Sequence, residues 1–175
     1  TMLNLLKSLG SKIQFFNNKK TVKITKNKKQ KIYASYSLVK TMRAGILVLG
    51  PMIAKHHKSI TSLPGGCLIG ARPVNYHLNA LKKLGMRYEI KKGYIHATSK
   101  GKLKGTNFKF SNISVGATEN SIIAACLAKG KTILKNCAIE PEIKDLVNFL
   151  NKMGCNIKWI KKRSLKITGV NQTNE

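Results

Sequence analysis

The amino-acid sequence predicts a mixed α/β (α+β) fold, made of repeated β-α-β-α-β-β units packed around buried helices. Three observations point to it. A helix-ending pattern recurs at Leu6-Lys7-Ser8-Leu9-Gly10, Leu81-Lys82-Lys83-Leu84-Gly85 and Leu150-Asn151-Lys152-Met153-Gly154, at intervals of 75 and 69 residues. Each copy is followed by a short alternating strand, a polar turn and a second strand. Two long apolar stretches precede the second and third copies, as buried helices would. A period this long belongs to whole α/β subdomains rather than to the turns of a solenoid.

In the first copy the chain opens inside an apolar helical pattern and does not begin with methionine, so it is expected to be a piece of something longer. Gly10 is the left-handed residue that ends its helix, and Asn17-Asn18-Lys19-Lys20 turns its hairpin. Next comes a helix over residues 38–54 (LVKTMRAGILVLGPMIA), apolar nearly all round and therefore buried. A short strand and a loop lead to Pro73, at the first turn of the helix that Gly85 ends, where a missing N–H does no harm. Lys91-Lys92-Gly93 turns the hairpin behind it. The third copy repeats this order. A helix over residues 117–128, with Thr118 and Asn120 as cap candidates, is followed by a strand, by Pro141 opening the helix that Gly154 ends, and by a hairpin turned at Lys161-Lys162-Arg163-Ser164. The unit is thus present twice in full and once truncated. Residues 1–36 read as the end of the first repeat, 37–105 as the second and 106–175 as the third.

With 175 residues, 42% of them hydrophobic, the chain is long enough to bury a core, and its periodicity excludes wholesale disorder despite a net charge of +27. It has no run of about 18 apolar residues, so a membrane-spanning helix is not expected, and its start lacks the features of a secretory signal. The excess of 33 basic over 6 acidic residues invites a nucleic-acid reading. Only four of the basic residues are arginines, however: Arg43, Arg72, Arg87 and Arg163. Base-edge readout favours guanidinium forks, and the lysines are spread along the chain. A solvated basic surface that attracts small anionic substrates is the favoured reading, with no specific nucleic acid and no membrane as partners.

Cys126, Cys137 and Cys155 sit in apolar stretches and read as small core hydrophobes. No Cys/His spacing suits zinc, and a disulfide framework is not expected. Cys67 stands apart, in Leu63-Pro64-Gly65-Gly66-Cys67-Leu68-Ile69-Gly70-Ala71-Arg72-Pro73. Three glycines and two prolines in eleven residues make this a loop. It puts a thiol and a guanidinium five residues apart, just ahead of a helix start, a setting that favours anions and thiolate. On these residues alone, a reactive anion-binding loop and a surface loop with an incidental cysteine stand level.

Taken together, residues 38–44 (LVKTMRA), 64–73 (PGGCLIGARP) and 114–120 (SVGATEN) resemble the UDP-N-acetylglucosamine 1-carboxyvinyltransferase family, the UDP-N-acetylglucosamine enolpyruvyl transferases. The resemblance covers essentially the whole chain, with the motifs in the family's order. It implies an inside-out α/β barrel of the enolpyruvyl transferase type, with two domains of three repeats each. This chain would hold most of the domain that carries the catalytic loop, without the opening segment of its first repeat and without the second domain.

The resemblance further implies transfer of the enolpyruvyl group of phosphoenolpyruvate to the 3′-hydroxyl of UDP-N-acetylglucosamine, with release of phosphate. In the family this is the first committed step of peptidoglycan synthesis, a cytoplasmic reaction that uses no cofactor and no metal. The implied partners are the two small-molecule substrates and the second domain, in cis or as a separate chain. Cys67 matches the loop cysteine that delivers a proton to the methylene carbon as the sugar oxygen attacks its neighbour, the thiol that the epoxide antibiotic fosfomycin attacks. Arg43 and Arg72 match positions that hold the anionic substrates. Arg72, Pro73, Val74, Asn75 and Tyr76 match a run that contacts the UDP-sugar. Asn112, Ile113, Ser114 and Val115 match a second such run, at a loop feeding a helix start. His77 follows the first run; its plain reading is a residue on the helix surface, with a substrate role as the alternative.

Two positions depart from the family pattern: Asn75 stands where aspartate is usual, and Tyr76 replaces an aliphatic residue. The family's N-terminal Lys-Asn pair, and the arginine and the aspartate base of its other domain, have no counterpart. Little or no turnover by these 175 residues alone is therefore expected. Three rival readings follow. Enolpyruvylshikimate-phosphate synthase shares the architecture but lacks the loop cysteine. A non-catalytic basic remnant would adhere to polyanions. A split enzyme would leave an apolar inter-domain face exposed.

Overall fold

The computed structural model describes residues 1–25, 27, 30–40, 42–65 and 74–174. The truncated copy consists of α1 (Met2–Ser8) and the hairpin β1 (Lys12–Phe16) and β2 (Thr21–Thr25). The second copy begins a few residues before the expected boundary at 36/37, because β3 (Tyr33–Ala34) pairs with β4 (Lys58–Ser62), and it runs on through α2 (Tyr36–Val39), a 3-10 helix (Arg43–Val48), α3 (Leu49–His56), β4, α4 (Asn75–Lys83), β5 (Met86–Lys91) and β6 (Tyr94–Ser99). The third comprises β7 (Asn107–Lys109), α5 (Val115–Cys126), β8 (Lys131–Lys135), α6 (Pro141–Lys152), β9 (Asn156–Lys161) and β10 (Ser164–Thr168). The two complete copies build four-stranded sheets of identical topology, β3-β4-β6-β5 and β7-β8-β10-β9. In each, a helical crossover joins a parallel pair, and a hairpin then adds two antiparallel strands.

The recurrent Leu-x-x-Leu/Met-Gly pattern is a helix stop with a defined hydrogen-bond set. Gly10, Gly85 and Gly154 have φ of 101°, 105° and 89°, the left-handed region where a side chain is strained. In the first copy Gly10 N–H donates to Lys7 O and Ser11 N–H to Leu6 O, both at 3.0 Å. In the third, Gly154 N–H donates to Asn151 O and Cys155 N–H to Leu150 O, again at 3.0 Å. These paired bonds satisfy carbonyls that a helix end leaves free, and they aim the chain into the next strand.

The helix expected over residues 38–54 is not continuous. It is divided into α2, the 3-10 helix and α3, with extended backbone at Met42 (φ −153°, ψ 112°). The junction with α3 has an identifiable cause. Gly50 N–H donates to Asn120 Oδ1 at 2.7 Å instead of to the Ile46 carbonyl, and that carbonyl accepts from Asn120 Nδ2 at 3.1 Å. The amide is spliced into the gap where an i→i−4 bond would lie. A Cβ on Gly50 would collide with Asn120, so the residue there must be glycine. Pro51, one residue on, lacks an N–H and cannot restore the ladder.

The start of α5 also differs from expectation. The helix spans Val115–Cys126, and its N-cap is Ser114, whose side chain accepts from Ala117 N–H at 3.3 Å. Thr118 Oγ1 instead donates to Ser114 O at 2.8 Å and accepts from Ala138 N–H at 3.1 Å, tying α5 to the segment behind β8. Pro141 stands in the first turn of α6, where its missing N–H is harmless. Pro73 lies outside the described residues.

Helix α5 is the centre of the molecule. Ala117, Thr118, Asn120, Ile122, Ala124 and Ala125 are all fully buried, and α3, α4, α6, the 3-10 helix and β10 pack around it. Cys126, Cys137 and Cys155 are buried free thiols, as expected. A smaller cluster of Leu5, Leu9, Ala34, Val39, Val48 and Met52 holds α1 against the second copy. The β1–β2 hairpin is exposed along almost its whole length, with Phe15, Phe16, Val22 and Ile24 open to solvent. Among the described residues neither of its outer edges pairs with another strand. No helix of the described residues is long and apolar enough to cross a membrane.

Candidate functional site

Three chain segments bring their ends to one cleft of about 610 Å³. The 3-10 helix contributes Arg43 from its first turn. The start of α4 contributes Val74, Tyr76 and His77, and the loop between β7 and α5 contributes Asn112, Ile113, Ser114 and Val115. Seven of the expected site residues therefore share one cavity: Arg43, Val74, Tyr76, Asn112, Ile113, Ser114 and Val115. Asn75 is exposed on the first turn of α4 and does not line the cleft. Cys67, Arg72 and Pro73 lie outside the described residues. The described neighbours of that segment on each side, Pro64 and Val74, both line the cleft.

The cleft is suited to anions on physical grounds. Arg43 brings its positive charge to one wall, and α5 begins at another, where first-turn N–H groups lack helical acceptors. Tyr76, one of the departures from the family pattern, accepts a hydrogen bond at its hydroxyl from Asn112 Nδ2 at 2.6 Å. That bond joins the α4 start to the β7–α5 loop, so the two runs expected to contact one ligand also contact each other.

Two cleft residues have environments that the sequence did not disclose. His77 is buried, 8% exposed, and is not the helix-surface residue of the plain reading. Its Nδ1 lies 3.2 Å from Asn120 Nδ2. Burial, assisted by the Arg43 charge, pulls its pKa down to about 4. Gly116 permits this placement, since a Cβ there would stand 3.2 Å from His77 Cε1. Glu119 also lines the cleft, and its carboxyl is held above the usual range by burial first and by the Glu142 charge second. Its position one turn into α5, beside the SVGAT run, was the available sequence signal. A separate cavity of about 710 Å³ gathers Lys55, His57 and Lys102 against residues 171–174 and contains none of the expected site residues.

Comparison with known proteins bears on the family and the fold. The sequence model of the family described as EPSP synthase (3-phosphoshikimate 1-carboxyvinyltransferase) matches residues 1–175. The chain is 65% identical over 175 residues to a UDP-N-acetylglucosamine 1-carboxyvinyltransferase of Pelagibacter ubique (strain HTCC1062), an alignment covering 100% of this chain and 42% of that protein. It is 46% identical over 172 residues to the protein of that name from Coxiella burnetii (strain RSA 493 / Nine Mile phase I), covering 98% of this chain and 39% of the relative. The chain thus spans about two fifths of the length of these relatives. Among solved structures, the enolpyruvyl transferase NikO from Streptomyces tendae superposes with a TM-score of 0.76 at 17% identity, over 95% of this chain and 39% of that one. An EPSP synthase from Acinetobacter baumannii gives 0.70 at 17% identity, over 98% and 39%. At that identity the likeness concerns the fold, and it agrees with the inside-out α/β architecture expected from the motifs. On the match over its whole length, the chain belongs to the EPSP synthase (3-phosphoshikimate 1-carboxyvinyltransferase) family of enolpyruvyl-transferring enzymes.

Proposed function

We propose that the protein transfers the enolpyruvyl group of phosphoenolpyruvate to the 3′-hydroxyl of UDP-N-acetylglucosamine and releases phosphate, as a cytoplasmic step of peptidoglycan synthesis. The observation that carries this reading is the convergence of Arg43, Tyr76 and the 112–115 loop on one cleft, in a chain with 65% identity to a relative bearing that enzyme name. In this reading the 3′-hydroxyl gives its proton to a base of the second domain as its oxygen attacks the carbon bearing the phosphate ester, while Cys67 gives its own proton to the methylene carbon. Elimination then expels phosphate and returns a proton from the new methyl group. Arg43 and Arg72 offset the phosphate and carboxylate charges and fix the orientation of phosphoenolpyruvate. Arg72, Pro73, Val74 and Tyr76 of the first run, with the run 112–115, hold the UDP-sugar. Residues 1–36, 37–105 and 106–175 correspond, with the first boundary drawn a few residues earlier at β3, to the end of the first repeat, the second repeat and the third repeat of one domain, and the second domain, in cis or as a separate chain, completes the site. A thiol at Cys67 would also make the enzyme a fosfomycin target.

The family's description also names 3-phosphoshikimate, so the acceptor is the point to test. Phosphate release is measured for the protein as its gene encodes it, with phosphoenolpyruvate and each acceptor in turn. Release with UDP-N-acetylglucosamine, and a loss on the order of 10²-fold or more in Cys67→Ala, is the expected result. Release only with 3-phosphoshikimate, or unchanged turnover in Cys67→Ala, overturns the assignment.

A further inference from the structure

We infer that His77 is an anion-binding residue of the cleft: Asn120 holds its ring as the neutral Nε2–H tautomer, and that N–H donates to a phosphoryl oxygen of a ligand seated beside Arg43. The identity of the ligand rests on the function proposed above; the tautomer does not. The backbone fixes it in three steps. Gly50 N–H can only donate, so the Asn120 atom 2.7 Å away is the carbonyl oxygen. The other end of the amide is then the NH2 group, and one of its hydrogens goes to the Ile46 carbonyl at 3.1 Å. The second faces His77 Nδ1 at 3.2 Å, which must accept it. A neutral ring whose Nδ1 accepts carries its proton on Nε2.

Neutrality follows from the surroundings, since the ring is buried and the Arg43 charge opposes a second positive charge beside it. The opposite edge of the ring, Nε2 and Cε1, lies against Gly116 at the cleft wall, where an added Cβ would be 3.5 Å and 3.2 Å from the two atoms. That edge therefore offers the cleft a donor and no lone pair. His77 cannot act there as a general base, whereas an N–H that keeps its proton across the physiological range suits an oxyanion. A phosphoryl oxygen beside Arg43 would give that N–H a charged acceptor in place of water.

The test uses the protein as its gene encodes it, with 15N-labelled histidine, and reads the ring nitrogens by long-range proton–nitrogen NMR at pH 7. The expected spectrum of the free protein is the neutral Nε2–H form. Addition of UDP-N-acetylglucosamine, or of inorganic pyrophosphate as a simpler probe, is expected to move the Nε2 resonance. By calorimetry, His77→Gln, which keeps an N–H donor, is expected to bind within about threefold of the natural protein. His77→Leu is expected to lose roughly tenfold or more. An Nδ1–H or imidazolium form in the free protein overturns the inference, as does an Nε2 resonance unmoved by either anion. So does a folded His77→Leu that binds as tightly as the natural protein. A shift with pyrophosphate but none with UDP-N-acetylglucosamine upholds the anion site and sinks the assigned substrate. Should His77→Leu fail to fold, the resonance shift decides.

Discussion

Lowering the pH from 7 to 4 is expected to weaken the fold through His77. In an unfolded chain an imidazole takes up its proton near pH 6.5, but in the folded protein His77 does so only near pH 4. Between those values the unfolded state binds more protons, so stability is intact above about 6.5, falls with pH across this window and levels off below about 4. Each factor of ten in proton affinity is worth about 1.4 kcal/mol, which puts the full effect at roughly 3 kcal/mol. With the side chain only 8% exposed, solvent screening removes little of it. Glu119 works in the opposite direction: its folded carboxyl holds a proton to higher pH, so acidification relieves a cost of burying its charge. The two are separated by comparing the natural protein with His77→Gln, which leaves Glu119 in place. Urea unfolding at several pH values would give both stability curves, and the natural protein should lose roughly 3 kcal/mol more than the variant between pH 7 and pH 4. Parallel curves would refute the neutral burial of the ring, and a natural protein that gains stability relative to the variant would reverse its sign.

Three further outcomes can be measured. Asn120→Ala strands Gly50 N–H and removes the donor to His77 Nδ1, while the Ile46 carbonyl keeps its bond from Leu49 N–H, and should cost about 2–4 kcal/mol by urea unfolding; a loss under about 1 kcal/mol would mean the break before α3 persists without the amide. Gly85→Ala meets no atom within 4 Å, so only the strain of its φ of 105° is felt, and a loss of about 1–2 kcal/mol is expected; no loss would show that the helix end relaxes. Gly116→Ala crowds the His77 ring while gaining about 1 kcal/mol of helix propensity, so Tm should change little while UDP-N-acetylglucosamine binding by calorimetry weakens several-fold. Unaltered binding in that variant would detach His77 from the ligand.

What could be read from the sequence was what the chain decides locally. The Leu-x-x-Leu/Met-Gly stops were legible because their bonds close within five residues, as from Ser11 N–H to Leu6 O. The cysteines were legible because their apolar neighbours bury them. The expected cleft residues were legible only through a resemblance, since Arg43 and Asn112 are brought together by packing rather than by spacing. The division of the 38–54 stretch was not legible, because its cause is an amide 70 residues away. Gly45, Gly50 and Pro51 were the local hints. His77 misled for the same reason: position 77 reads as surface on α4, and only the approach of Gly116 and Asn120 from α5 buries it. The eight-residue segment 66–73, with Cys67 and Arg72, lies outside the described residues, and its role stands on the sequence.

The bare hairpin at the start of the chain has a consequence for handling the protein. Phe15, Phe16, Val22 and Ile24 lie on a ribbon whose outer edges pair with no other strand among the described residues, a template onto which another ribbon can zip. Lys12, Lys19, Lys20 and Lys23, on a molecule carrying +27 overall, keep copies apart by repulsion. That guard has a reach of about 10 Å in 0.1 M salt and about 3 Å in 1 M. Added salt, which usually disperses a basic protein from its contaminants, should here draw the molecules into clusters, and replacing Phe15 with lysine should keep them dispersed.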